Sequence, residues 1–352
     1  LQGCATPVLW ETTTGSDTFW SGAALWSLAA ERRHAFRKHG MKPGDVFLDR
    51  GIGIDALISL LACAIGHHVY WPVSPKLFST ISTEVKNKSF LSGHVDGRTL
   101  FLQRESTWSP FPLPDCLSYL PALHPALLLL STSSSLNARN EGSGKVVAFT
   151  EAQLFIQLAA HKPFLSTTPE ENRLCVLPWY HGFGLVLDLL VGLLAQQTIL
   201  LRNDVPFYAK GLVNDLQEYD IRFMAVVPRM LELLLVEIER RDAPALFSSL
   251  TIHCGGAPVA ASALNRAAKQ RVKVIIGYGL TECGPGVLMA GNPAIGHAWA
   301  QRVDDTNLYE LYVKTPCLGL FEGIHAPAYG EEVAFATGDL VASATAPFEV
   351  IG

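Results

Sequence analysis

Gly277-Tyr278-Gly279-Leu280-Thr281-Glu282 follows an apolar run, Val272–Ile276, that reads as a buried strand. Its glycines let the backbone approach a flat ligand, Tyr278 offers an aromatic face, and Thr281 and Glu282 offer oxygens to a hard cation. Upstream, Cys254-Gly255-Gly256-Ala257-Pro258 ends another strand in a loop free of bulky side chains. Downstream, Thr337-Gly338-Asp339 sets a carboxylate in a tight turn, where it can accept hydrogen bonds from vicinal ribose hydroxyls. Each element alone is an ordinary turn. Together and in this order, they are hard to explain as turns.

Around these stretches strands and helices alternate nearly throughout, which predicts α/β architecture. Asp17–His39 reads as a helix closed by Arg37, Lys38, His39 and Gly40. Val46–Leu48 and Val69–Val73 read as strands, with a helix over Asp55–Ile65 between them. Leu77–Ser118 gives only a mixed signal. Ala126–Leu130 has the continuous apolar pattern of a strand buried on both faces. A polar loop, Ser131–Lys145, leads to a strand at Val146–Phe149. Thr150 and Gln153 then have capping-box spacing for a helix reaching His161. Further strands are expected at Arg173–Leu177, Thr198–Leu201, Phe223–Val227 and Thr251–Cys254. After Gly291 the helical pattern ends and short strands take over, beginning with Leu308–Val313.

Composition bounds the function. The 352 residues are 49% hydrophobic and 17% charged, which excludes a disordered chain. Lys plus Arg number 27 and Asp plus Glu 32, a net charge of −5. That balance leaves no basic stripe for nucleic acid. Leu57–Gly66 and Leu185–Ala195 fall short of the ~20 residues of a membrane span. The seven cysteines are dispersed, with no CxxC, which argues against a disulfide framework or thiolate zinc site. Cys283 reads as a packing residue rather than a nucleophile. With no signal peptide in the sequence, the expected compartment is the cytoplasm.

Familiar alternatives fail on their chemistry. Gly51-Ile52-Gly53 follows a strand, but no acidic residue lies between Asp55 and Glu84 to bind a ribose in the dinucleotide manner. Gly144-Lys145 ends like a P-loop, yet Arg139 replaces its first glycine and Val146 its magnesium-binding hydroxyl. No GxSxG elbow or HExxH helix occurs.

From about Pro43 onward the chain resembles the large N-terminal region of the adenylate-forming superfamily. That superfamily includes acyl- and aryl-CoA synthetases, acyl-carrier-protein ligases and peptide-synthetase adenylation domains. Pro43–Pro75 looks like the family's opening strand–turn–helix. Leu177-Pro178-Trp179-Tyr180-His181-Gly182-Phe183-Gly184 is similar to its histidine-containing segment, Val226–Leu234 to the stretch after its proline–threonine turn, and Leu308–Gly319 to its hairpin. The most specific likenesses are the three motifs quoted first. The resemblance implies two wound sheets flanked by helices plus a small distorted β-barrel. It places an adenylate-forming core at 1–290, divided near 120, and the barrel at 291–352. It also implies that the family continues past Ile351-Gly352 into a hinge and a small C-terminal domain carrying the adenylation lysine.

Carried over residue by residue, the resemblance has Tyr278 stack on adenine, with Gly255, Gly256 and Ala257 on the opposite wall and Gly279 among the nucleotide-binding residues. Thr281 contacts the α-phosphate, Glu282 holds magnesium, and Asp339 binds the ribose. Ser131, Thr132, Ser133 and Lys145 stand in the phosphate loop, which lacks the family's inner glycines and is longer. Trp179, His181, Phe183 and Gly184 border the acid, and His181 is also placed among the catalytic residues with Thr281 and Glu282.

The activity implied is ATP- and magnesium-dependent formation of an acyl-adenylate, then thioester formation on CoA or a phosphopantetheinyl carrier protein. No acidic residue lies within Trp179–Gly184 to pair with an amino acid's ammonium, which leaves an aryl acid such as a hydroxybenzoate or a short or medium acyl chain. The aryl acid is favoured because Trp179, Tyr180 and Phe183 can stack on a ring. The alternatives are a degenerate member that binds ligand without turnover, for which the altered loop speaks, and an amino-acid-activating domain.

Overall fold

The structure is a computed structural model. It describes residues 7–13, 16–50, 52–77, 79, 100–104, 107–111, 126–131, 145–165, 168–202, 206–304, 306–321 and 331–351. Thr132, Ser133 and the rest of the expected phosphate loop up to Gly144 lie outside these residues, as does much of Leu77–Ser118.

Two large sheets form the α/β body. The larger runs Asn292–Pro293, Leu288–Met289, Lys273–Tyr278, Thr251–Gly255, Ile221–Val226, Asn172–Cys175, Thr198–Leu201, Pro7–Thr13, Ser16–Ser21. Its middle pairs are parallel and its two ends antiparallel. The smaller runs Thr107–Phe111, Leu100–Arg104, Val46–Asp49, Val69–Pro72, Ala126–Ser131, Val146–Thr150. A third, antiparallel sheet joins His297–Arg302, Tyr309–Thr315 and Val333–Val341. The expected two wound sheets flanked by helices are present, with this small antiparallel sheet in the C-terminal stretch.

Burial follows the strand period of two. In the larger sheet Leu174 and Leu200 enter one apolar cluster with the helices Ala209–Glu218, Pro228–Arg240 and Ala261–Lys269. Cys175, Ile199 and Leu201 enter the other, which also holds Leu128, Leu130, Val147 and Phe149 of the smaller sheet. One core therefore joins both sheets.

The first expected helix is corrected. Residues 16–21 form a strand against Pro7–Thr13, and the helix covers only Gly22–Lys38. Thr18, Phe19 and Trp20 favour a strand, and Ser21 caps the helix by accepting a 3.1 Å bond from the Ala24 amide. Among the described residues no helix is long and apolar enough to cross a membrane.

The helix Glu151–His161 matters most for the site. Both halves of its capping box form between Thr150 and Gln153. Gln153, Gln157 and His161 recur every four residues, so they share one buried face. Gln153 Nε2 donates to the Leu318 carbonyl over 2.8 Å and Gln157 Nε2 to that of Cys283 over 3.0 Å. His161 Nε2 lies 2.7 Å from the Gly286 carbonyl oxygen. The last two contacts pin the segment that carries Thr281 and Glu282.

Candidate active site

A cavity of about 540 Å³ opens between the two large sheets. Leu130 and Ser131 line it from the smaller sheet; His253, Gly255 and Gly277 line it from the larger. Its wall also includes Pro178, the run His181 to Gly184 and the run Gly279 to Glu282. The sequence motifs thus meet here. Gly255, Gly256, Gly279, Thr281, Glu282, His181, Phe183, Gly184 and Ser131 all reach the cavity.

Local geometry explains the glycines. A Cβ at Gly279 would stand 2.1 Å from the Pro285 carbonyl oxygen, and one at Gly184 would stand 2.6 Å from that of Pro178. Gly256 has φ +85°, a conformation that side chains disfavour. Phe183–Leu190 forms a π-helical turn, a rare geometry often found beside functional sites.

Glu282 sits on this wall with Lys145 Nζ 3.8 Å from its Oε1. Lys145 also stands 5.6 Å from the Phe321 ring centroid. The Glu282 carbonyl accepts from the Gly319 amide over 2.8 Å, which ties the segment to the C-terminal stretch. Tyr278 and Asp339 are beside the cavity rather than on its lining. The Tyr278 hydroxyl donates to Asp339 Oδ2 over 2.5 Å, and burial, reinforced by this carboxylate, raises the phenol well above its ordinary range.

Several expectations need correction. Thr337-Gly338-Asp339 lies inside the strand Val333–Val341, not in a turn. The pairing register shifts across these residues and Gly338 has φ +77°, so the carboxylate is set by a bulge. The strand Lys273–Tyr278 is only partly buried, with Ile276 37% exposed. Trp179 is 1% exposed and belongs to the apolar core; it is not among the cavity-lining residues. Ala257 is exposed and likewise off the lining.

His181 is exposed on the cavity wall, its ring 4.7 Å from that of Tyr180, and partial desolvation lowers its imidazole from the ordinary value. Cys283 is buried, and burial raises its thiol far above the reactive range, in keeping with a packing role. Asp188 is off the cavity lining and buried with Arg173, 3.3 Å away. Arg173 also donates to Gln197 over 2.8 Å and to the Leu165 carbonyl over 3.2 Å, and lies 3.8 Å from the Phe223 ring centroid. Burial pushes Asp188 up to about 6 against the opposing pull of Arg173.

His253 is a cavity residue that motif reasoning passed over. It is 0% exposed, and neither ring nitrogen has a hydrogen-bond partner among the described residues. Burial, aided by the nearby charges of His161 and Arg173, pushes its imidazole down to about 3. An unsatisfied buried polar group costs about 1–3 kcal/mol. Its sequence signal is a histidine two residues before the Gly255-Gly256 turn, set between Ile252 and Cys254.

Among the described residues no group of three or more His, Cys, Asp or Glu is placed to hold a metal. A lone carboxylate suits magnesium that arrives with phosphates, since that ion is commonly held by one or two carboxylates plus substrate oxygens.

Comparisons with known proteins place this fold among adenylate-forming enzymes. Residues 141–307 match the family described as AMP-binding enzyme. The chain is 30% identical over 159 residues to the non-canonical non-ribosomal peptide synthetase ascB of Acremonium egyptiacum, covering 45% of this chain and 14% of that protein. It is 30% identical over 120 residues to feruloyl-CoA synthase of Amycolatopsis sp, covering 34% of this chain and 24% of that one. With a long-chain-fatty-acid–CoA ligase of Escherichia coli O157:H7 it shares 29% identity over 204 residues, 52% of this chain and 34% of the ligase. The chain therefore spans a minor part of each of these relatives. The ATP-bound crystal structure of MatB from Rhodopseudomonas palustris superposes with TM-score 0.74 at 17% identity, covering 100% of this chain and 76% of that one. The resemblance read from the sequence, to the large region of adenylate-forming enzymes, is borne out in family match and fold.

Proposed function

We propose that the chain forms the nucleotide- and acid-binding part of an AMP-forming acid–thiol ligase. The observation that carries this reading is the meeting of Gly255, Gly256, Gly279, Thr281, Glu282 and His181 around one cavity between the sheets. The carboxylate of the acid attacks the α-phosphorus of ATP, forming an acyl–phosphate bond and releasing pyrophosphate. A phosphopantetheine thiol, on CoA or a carrier protein, then displaces AMP. The catalytic contribution is positioning and charge stabilisation.

In this reading Tyr278 stacks on adenine, Asp339 binds the ribose, Thr281 meets the α-phosphate and His181 borders the acid. Glu282 would hold the magnesium ion, which supplies charge neutralisation on the phosphates. Lys145 balances the Glu282 carboxylate when no cation does, at the 3.8 Å separation observed. The phosphate-loop role of Ser131, Thr132 and Ser133 and the division into a core and a C-terminal β unit belong to the same proposal.

The acid-side wall supports an aryl acid. Phe183 and His181 supply flat faces, Gly182 and Gly184 leave space, and among the described residues Glu282 is the one carboxylate on the lining. That carboxylate is assigned to the cation, so none remains for an ammonium group. Carboxylate-dependent pyrophosphate exchange on the full-length protein, across benzoates, fatty acids and amino acids, tests the reading. Exchange is expected with benzoates foremost. Robust exchange with an α-amino acid while benzoates and fatty acids stay inert would overturn it.

A further inference from the structure

His253 occupies the middle of the strand Thr251–Gly255, where it pairs with Ala225 on one side and Ile275 on the other. Side chains two residues apart share a face, so Gly255 lies ahead of it on the cavity side and Gly277 lies diagonally ahead on the next strand. The imidazole fills the space those glycines leave. A Cβ on Gly277 would stand 2.2 Å from His253 Nε2, so the ring edge bearing this nitrogen rests against a glycine of the cavity wall. The Phe183 ring stands edge-on at 4.9 Å and 86°, closing the imidazole from solvent. For a ligand to reach Nε2, that half-buried ring has to turn aside.

A buried imidazole with neither nitrogen paired is a costly choice for a core position, where an apolar residue would pack without penalty. The neighbouring Arg173 spends its hydrogen bonds on Asp188, Gln197 and Leu165, and His161 faces the carbonyls of Gln157 and Gly286. The partner of His253 is therefore to be sought in the cavity. A neutral imidazole nitrogen donates in one tautomer and accepts in the other; a hydroxyl, which can do either, pairs with it in both, whereas a carboxylate or an ammonium suits only one.

We infer that His253 Nε2 is a specificity-determining contact that hydrogen-bonds a hydroxyl on the acid, so that the cavity selects hydroxylated aryl acids over their unsubstituted counterparts. This rests on the function proposed above. The acid's ring lies along the Phe183 side of the cavity, and its hydroxyl satisfies the imidazole that is otherwise unpaired. Removing the hydroxyl leaves a buried polar group unmet, which is how binding sites reject an analogue lacking one polar atom.

The test is calorimetric titration of the chain with non-hydrolysable adenylate mimics, benzoyl-sulfamoyl adenosine beside its 2-, 3- and 4-hydroxybenzoyl forms. One hydroxylated form is expected to bind about 10-fold or more tightly than the benzoyl form. His253→Phe is expected to bring that ratio within about twofold, and His253→Gln to retain part of it. In the wild-type chain, the same hydroxylated mimic is expected to shift the His253 side-chain ¹⁵N resonances, and the benzoyl form not to. Equal binding of all four mimics, an unchanged ratio in a folded His253→Phe, or unmoved ¹⁵N resonances would overturn the inference while leaving the proposed function standing. Failure of all four to bind would overturn both.

Discussion

The Tyr278 hydroxyl donates to Asp339 Oδ2 over 2.5 Å, joining two residues 61 positions apart in sequence. One ends a strand of the large mixed sheet; the other sits in the bulge of the small antiparallel sheet. The Asp339 amide donates in turn to Thr337 Oγ1 over 3.1 Å, and that hydroxyl donates to the Leu311 carbonyl over 2.8 Å. The aromatic face and the carboxylate are thereby held as one unit.

If that unit holds adenosine, Asp339→Ala should weaken binding of an adenylate mimic by about 10-fold or more, the scale of a lost charged hydrogen bond. Tyr278→Phe keeps the ring face and should weaken it less. Calorimetry on the two variants checks this, and wild-type affinity in both would remove them from the nucleotide site.

Glu282 is assigned a charge-stabilising role, so Glu282→Gln keeps its shape and removes its charge. Pyrophosphate exchange by the full-length protein should fall ~100-fold or more, the scale of losing one key electrostatic stabiliser. An exchange rate within a few-fold of wild type would contradict the assignment.

Gln157 touches none of the proposed substrates, yet its Nε2 holds the Cys283 carbonyl next to Glu282. Gln157→Leu should lower exchange by about 10- to 100-fold through misplacement of the Thr281–Glu282 segment. Gln157→Glu keeps a similar shape but removes the donor, so it should fail likewise. Thermal denaturation run alongside separates misplacement from unfolding, because the fold should persist.

Acid stability carries a signature of His253. Its folded value of about 3 lies below the ordinary 6.5, so between these the unfolded chain binds a proton that the folded chain refuses. Stability from this group is full above pH 6.5 and is lost as pH falls towards 3, at a slope of up to about 1.4 kcal/mol per pH unit. Asp188 works in the opposite sense, since its folded value of about 6 lies above the ordinary 3.8. Its contribution is present below pH 3.8 and lost as pH rises through 6. Denaturant melts of wild type and His253→Gln across pH 4–7 isolate the histidine: the difference between the two should steepen below pH 6.5. Parallel curves would show that the imidazole is not buried in its neutral form.

Much of this architecture is legible in local patterns. The apolar run Ala126–Leu130, the capping box at Thr150 and the glycine turn that closes Thr251–Gly255 each encode their structure within a few residues. Contacts made at long range are not legible. Gln153, Gln157 and His161 bond carbonyls 165, 126 and 125 positions away, and nothing near them announces those partners. Trp179 read as a pocket ring because its neighbours His181 and Phe183 are, yet the turn directs its indole into the core. Residues 17–21 read as helix, but pairing with Pro7–Thr13 makes them strand. His253 carried no motif at all, and its meaning came from two glycines and an aromatic ring packed around it.

The most direct test of the central claim is calorimetric titration of this chain with a non-hydrolysable aryl-adenylate mimic. The expected result is saturable one-to-one binding that ATP competes away and that Asp339→Ala weakens. A folded chain that shows no saturable binding of any acyl- or aryl-adenylate mimic would contradict it.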